Sequence, residues 1–366
     1  MMMTARGELP HWVDAGLIPV LNLTVALLVS GLVVLIIGEN PVEALWIMLK
    51  GAVGSLKGWG YLLYYATNFT FTGLAVAVAF HAGLFNIGGE GQAYMAGVGA
   101  AAAGLGLEFL PWPIVLPLAI LSAMAAGTVW AWIPGILQAR RGSHIVITTI
   151  MFNFIAASLV GYLINYWFRP VGRMAVESRE ITGAYIMSFR EVAREFFGVR
   201  IASSPLNFSI FLALMAAFAV WYLLWRTKLG YEIRALGASP GAAVYAGIRP
   251  GRITVITMAI SGALAGLMAV NEILGVQHRL VLGFVGGAGF VGIAVALMGR
   301  SHPIGIVLAA MLFGLLYQGG SELSFAKPEI NRDMVVVIQG LVILFMGALE
   351  YAFRPFVAKL FLRVEA

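Results

Sequence analysis

Long stretches of this chain carry no Asp, Glu, Lys or Arg, and this limits what it can fold into. Residues 15–38 and 109–139 are two such runs. Each exceeds the ~20 residues an α-helix needs to cross a ~30 Å hydrocarbon layer. The rest of the sequence agrees: 61% of residues are hydrophobic, 11% are charged, and the mean hydropathy is +0.92. The runs do not alternate apolar with polar residues, so they do not read as barrel strands. The expected fold is an all-α polytopic membrane protein, one transmembrane domain over 1–366 with its membrane region at 16–353.

Applying the ~20-residue criterion gives about ten spans. They fall at 16–38, 61–80, 91–107, 113–138, 145–168, 207–225, 253–274, 284–299, 303–320 and 334–353. The first is longer than a signal-peptide core and has no clear small-residue cleavage site, so it reads as a span. Residues 42–55 are too short and too polar to span and suit an interfacial helix. An even number of spans places both termini on one side. That side then holds Arg6, Arg140, Arg141, the loop 226–252, Arg300, Arg354, Lys359 and Arg363, 12 basic residues in all. The other side holds Lys50, Lys57, Arg279, Lys327, Arg332 and six arginines in 169–206, which makes 11. The 169–206 loop mixes its arginines with Glu177, Glu180, Glu191 and Glu195. Without it the count is 12 against 5 and favours cytoplasmic termini, leaving 169–206 outside. Within that loop, Phe189–Phe197 suits a short amphipathic helix on the membrane surface.

Glu90 is the only Asp, Glu, Lys or Arg between Lys57 and Glu108, and Gly83, Gly88, Gly89 and Gly91 surround it. A lone carboxylate near membrane depth is costly, so it is usually buried in the bundle, paired, or set along a polar path. Clustered glycines interrupt a helix and allow backbones to approach closely. A broken helix is expected here, with Asn86, Glu90 and Gln92 lining or gating a polar path. The structural alternative is that Glu90 caps the N–H groups opening the third span. The later run Phe284-Val285-Gly286-Gly287-Ala288-Gly289 echoes this motif and also precedes a small-residue helix. Such a pairing suits an inverted repeat with broken helices at corresponding points.

Three further stretches stand out. In 144–153, HIVITTIMFN, Thr149 and Asn153 share one helix face, with Thr148 beside them. They can bind a neutral polar solute, or Thr can bond back to its own helix while Asn joins neighbouring helices. The loop 226–252 is too polar to span and too helix-prone to be slack. Ser239-Pro240 reads as an N-cap and first helical residue, and Gly247 can end the short helix. A stiff helix between two spans is a lever on which another protein can push. In 283–303 small residues permit tight packing. Asn271 and Glu272, near the end of the seventh span, fit a membrane-interface location.

No Cys is present, the five histidines have no metal-ligand spacing, and no phosphate-cradling Gly-x-x-x-x-Gly-Lys-Ser/Thr occurs. HExxH and GxSxG are also missing. The net charge of +6 reflects loop Lys and Arg and does not point to nucleic acid. An ion-coupled secondary transporter or channel using Glu90 is the alternative to a pathway pushed by a partner protein; an intramembrane enzyme using Glu90 or His81 would need a second catalytic group that the sequence does not offer.

FNIGGEGQ at 85–92, HIVITTIMFN at 144–153, GYEIRALGASPGAAVYAGI at 230–248 and GFVGIAVALMGRSHPIG at 289–305 occur in one order. With these the chain resembles permease subunits of prokaryotic ATP-binding-cassette importers, in particular the nucleoside and simple-sugar branch of the wider ribose and branched-chain amino-acid permease family. The resemblance covers roughly residues 20–350. It departs at Gly89, where a bulkier residue is expected. It implies a non-enzymatic transport subunit in the cytoplasmic membrane, paired with a similar permease, more as a heterodimer than a homodimer. Two separate ATPases would hold ATP-Mg, with no cofactor in this chain, and an external binding lipoprotein would deliver solute. The ATPase-coupling segment maps onto Tyr231, Arg234, Ala235, Gly237, Ser239, Pro240, Ala243 and Gly247. Arg173, Arg179, Arg190 and Arg194 are then candidates to dock the binding protein, or to pair with the glutamates of their own loop.

Overall fold

The computed structural model describes residues 17–331, 333–342, 344 and 345, with single positions 13 and 357. Arg6, Glu8, His11, Asp14, Arg332, the later part of the expected span 334–353, and Arg354, Lys359 and Arg363 lie outside the described residues. Fourteen helices are described: α1 Ile18–Ile37, α2 Pro41–Val53, α3 Leu56–His81, α4 Gly89–Gly106, α5 Trp112–Arg141, α6 Ile145–Leu163, α7 Phe189–Phe197, α8 Ser209–Arg226, α9 Lys228–Ala238, α10 Pro240–Tyr245, α11 Pro250–Ala269, α12 Ala288–Met298, α13 Pro303–Ala326 and α14 Asp333–Val342. π-helical turns, Ile164–Phe168 and Val270–Gln277, extend α6 and α11. Among the described residues, 7 helices are long and apolar enough to cross a membrane: α1, α3, α5, α6, α8, α11 and α13, with α6 and α11 counted with their π turns. The expected spans 91–107 and 284–299 correspond to α4 and α12, which are shorter or less apolar, and α14 covers part of the described stretch of 334–353.

The chain divides into two compact units, Met1–Ser55 with Leu315–Ala366, and Leu56–Gly314. In the first, Asn40 caps α2 through Val42 N–H, and Pro41 supplies a preset φ at the first helical position. α2 faces the end of α13: a Cβ at Gly319 would lie 2.7 Å from Met48 O, and one at Gly51 2.6 Å from Glu322 Cβ. Lys327 Nζ sits 3.0 Å from Glu39 and 3.2 Å from Glu43, and the Glu39 bond, then Glu43, holds the ammonium above its ordinary pKa.

In the second unit α3 and α11 are the enclosed helices. Their apolar windows are 83% and 72% buried, against 28% for both α5 and α6, so polar side chains on α3 and α11 point into protein. α5 crosses α11 where Gly127 meets Gly262, a contact with no room for a side chain on either helix. The 169–206 loop is built onto residues 274–281. Ser178 N–H donates to Leu280 O, Ile181 N–H to His278 O and Ile186 N–H to Leu274 O. Arg279 spans Glu177 and Glu180 at 2.9 Å each, and the Glu180 bond leads in raising its pKa. The expected amphipathic helix forms as α7, with a capping box between Ser188 and Glu191 and a left-handed Gly198 at its end.

Candidate functional site: a broken helix, a buried carboxylate cluster and a two-helix loop

The break between α3 and α4 is held by side chains. Asn86 is fully buried, and its Oδ1 accepts from Gly88 N–H at 2.8 Å and Gln92 Nε2 at 3.1 Å. Its Nδ2 donates to Ser261 Oγ at 2.8 Å, and Ser261 in turn donates to Ala75 O at 2.6 Å. From α6, Asn153 Oδ1 accepts Gly91 N–H at 2.8 Å and its Nδ2 donates to Ile87 O at 2.9 Å. These bonds satisfy backbone groups that the missing helical turn leaves open, as a buried segment requires. The structure thus brings Asn86, Gln92 and Asn153 together. Thr149 is buried against Gly88 and donates to Ile145 O at 2.8 Å; half-buried Thr148 donates to His144 O at 3.1 Å. Both threonines bond back to their own helix.

Glu90 opens α4, yet it does not cap that helix. Its carboxylate reaches the start of α12, accepting Gly287 N–H at 3.0 Å and Gly289 N–H at 2.9 Å. Both oxygens are used, and the carboxylate meets the positive end of the α12 dipole. The structural alternative, capping of α4 by Glu90, is corrected accordingly: both carboxylate oxygens are taken by the start of α12. The two glycine motifs that echo each other in sequence therefore meet in space. A Cβ on Gly289 would fall 2.2 Å from Glu90 N, whereas one on Gly89 would find only ordinary contact at 3.5 Å. Gly89 leaves room for the bulkier residue expected there.

A second buried polar cluster lies farther along α3. Asn68 Nδ2 donates to Glu272 Oε1 at 2.6 Å, and the Tyr64 hydroxyl donates to the same oxygen. Asn271 Nδ2 donates to Asn68 Oδ1 at 2.7 Å, and Asn207 Nδ2 to Asn271 Oδ1 at 2.8 Å. Asn271 and Glu272 are 1% and 4% exposed, which overturns the membrane-interface location expected for them. They sit in the π-helical turn, a distortion frequent at functional sites. The two donors to Glu272, Tyr64 and Asn68, sit four residues apart on one face of α3, a spacing that was readable in the sequence.

The 226–252 loop forms α9 and α10 as two capped helices. Thr227 Oγ1 accepts Gly230 N–H at 3.0 Å, and Ser239 Oγ accepts Ala242 N–H at 3.3 Å. Pro240 opens α10, and Gly247 leaves it with φ +78°. Ala243 is buried beneath, while Val244 and Tyr245 are exposed and Tyr231 is exposed on α9. Arg234 and Ala235 are half-buried. Gly237 backs onto the end of α3, where a Cβ would lie 2.3 Å from His81 O. His81 Nε2 is 3.1 Å from Ser301 O, beyond the end of α12. The two-helix loop therefore rests on the α3 terminus that leads into the break.

A family model described as the branched-chain amino acid transport system permease component matches residues 59–347. The chain belongs to that permease family. The guanosine ABC transporter permease protein NupP of Bacillus subtilis is 35% identical over 345 residues, 94% of this chain and 96% of that one. The glucose ABC transporter permease protein TsgB13 of Haloferax volcanii is 30% identical, covering 96% of this chain and 92% of its own length. A second guanosine permease protein of B. subtilis, NupQ, is 25% identical over 69% of this chain and 78% of its own. The family region includes both polar clusters and α9–α10. The permease is a multi-pass membrane subunit of an ABC transporter.

The four candidate docking arginines in the permease's 169–206 loop separate into two pairs. Arg173 meets Glu177 at 3.1 Å, and Arg179 meets Glu108 at 2.7 Å. Arg190 donates to Ser203 Oγ at 3.0 Å, and neither Arg190 nor Arg194 has an ion pair among the described residues.

Proposed function

We propose that this permease is half of the membrane pathway of an importer for a nucleoside or simple sugar. The observation that carries the reading is its end-to-end likeness to a guanosine permease. The match to both NupP and NupQ from one organism favours a heterodimer with a second, related permease. ATP-Mg binds two separate ATPases in the cytoplasm, and an external binding protein delivers solute. The chain spans the cytoplasmic membrane of a prokaryote with both termini inside.

In this mechanism the ATPases press on α10. Tyr231, Arg234, Ala235, Gly237, Ser239, Pro240, Ala243 and Gly247 form the coupling segment that receives the push. Gly237 passes it to the α3 terminus and so to the break. Asn86, Glu90, Gln92, Thr148, Thr149 and Asn153 then act as the gate of the solute path, with Glu90 linking α4 to α12. The binding protein docks outside on Arg190 and Arg194, together with Arg173 and Arg179, which also hold ion pairs.

The test is co-purification of the tagged chain with its neighbouring gene products, then ATPase and uptake assays in lipid. Stable association with an ATPase and turnover stimulated by the binding protein are expected. A chain that purifies alone and moves solute down an ion gradient would sink the importer reading. Reversing Arg190 and Arg194 to Glu should weaken stimulation by the binding protein; unchanged stimulation refutes the docking role.

A further inference from the structure

We propose that Tyr64, Asn68, Asn271 and Glu272 form a station of the transport path that reads the hydroxyl groups of a passing polyhydroxyl solute. The proposal rests on the importer reading and adds to it the residues that contact solute.

The two buried carboxylates of the second unit are held in opposite ways. Glu90 is bound by backbone N–H groups of α12, which a solute cannot replace without unseating the helix. Glu272 is held by a phenol hydroxyl and a carboxamide, both on α3 side chains. No cation pairs with it among the described residues. A carboxylate held by neutral O–H and N–H donors is in an environment that sugar hydroxyls reproduce, so a solute can exchange with its partners at little cost. Charged acceptors also make the stronger hydrogen bonds to hydroxyls.

The cluster reaches the surface of the chain through Tyr64. Asn68, Asn271 and Glu272 are buried, but Tyr64 is only half-buried and Gln277, at the end of the π-helical turn, is exposed. Tyr64 and Tyr65 lie side by side, ring centroids 5.1 Å apart, an aromatic face next to the acid. Apolar flat surface beside convergent carboxylate and amide groups is the composition of a small-molecule site. The position also fits. With ~1.5 Å rise per residue, Asn68 lies roughly 20 Å along α3 from the His81 end on which the α9–α10 loop rests. Solute entering from the far side would meet this cluster before the α4 break. The π-helical turn carrying Asn271 and Glu272 and the Asn207 bond from the start of α8 place three elements at one point, so relative movement of these helices would open it.

The experiment uses the complete transporter in proteoliposomes, with partner permease, ATPases and binding protein. Uptake of guanosine, uridine, D-ribose and D-glucose is measured first; a wild type that carries none of them overturns the importer reading and this inference with it. The carried solute is then compared with its analogue lacking the vicinal hydroxyls, with the binding protein saturated by each. Glu272→Gln should slow the hydroxylated solute about ten-fold while changing the analogue by less than about two-fold. Tyr64→Phe, which removes one oxygen and keeps the packing, should shift the same ratio in the same direction and covers the case of poor folding by Glu272→Gln. Equal slowing of solute and analogue by the variants would mark a purely structural cluster and overturn the proposal. Unchanged rates for both would overturn it as well.

Discussion

Replacing Gly289 by Ala tests whether the two helix starts are as tightly joined as the distances indicate. The added methyl would stand 2.2 Å from Glu90 N, 2.5 Å from Glu90 Cα and 2.7 Å from Gly89 C, all backbone atoms. None of them can rotate away, so α12 must retreat from α4. Overpacking of this kind costs about 1–3 kcal/mol. Retreat also stretches the two bonds from Gly287 and Gly289 to Glu90, each worth about 1.5–3 kcal/mol when made to a charged acceptor. Losing part of both brings the total to about 2–5 kcal/mol, and a fall of roughly 3–6 °C in unfolding temperature is expected at about 1.3 °C per kcal/mol for 366 residues. Gly89→Ala is the control, because its methyl meets Gly289 at 3.5 Å and should change stability by less than about 1 kcal/mol. Thermal unfolding in detergent, followed by tryptophan fluorescence, reads both variants. If Gly289→Ala unfolds at the same temperature as Gly89→Ala, the joint is not tight and the reasoning fails.

Asn153→Ala removes the partners of Gly91 N–H and Ile87 O and should cost about 1–3 kcal/mol for each buried group left unmet, whereas Thr149→Val should cost less than about 1 kcal/mol because Thr149 bonds only within its own helix; unfolding midpoints separate the two. Ser239→Ala deletes the α10 cap, worth about 1 kcal/mol of helix stability, and should raise the ATP hydrolysed per solute carried without changing expression. Gly237→Ala forces the loop off His81 O and should lower uptake more than it lowers ATPase activity; a proportional fall in both would remove Gly237 from the coupling route.

The long uncharged runs made the membrane class legible, since no other environment accepts so much apolar helix. The capped α10 was also legible, because Ser-Pro and a following Gly act through their own backbone within a few residues. Other expectations needed distances that the sequence does not contain. Nothing near Glu90 indicated that its partners would be Gly287 and Gly289, nearly two hundred positions away. Asn271 and Glu272 lie toward the end of an apolar run, which is where interfacial residues also lie; only the enclosure of α3 and α11 buries them. Thr149 and Asn153 fall on one face in both readings, but their bonds differ, one to its own helix and one to the break.

Apolar run length, glycine clusters and caps act over one or two turns, so most helices and the break at 82–88 could be read along the chain. Which buried polar groups meet could not be read that way. Hydrogen bonding in a membrane bundle depends on which helix faces share an interior, and that pairing is set by packing between segments far apart in the chain.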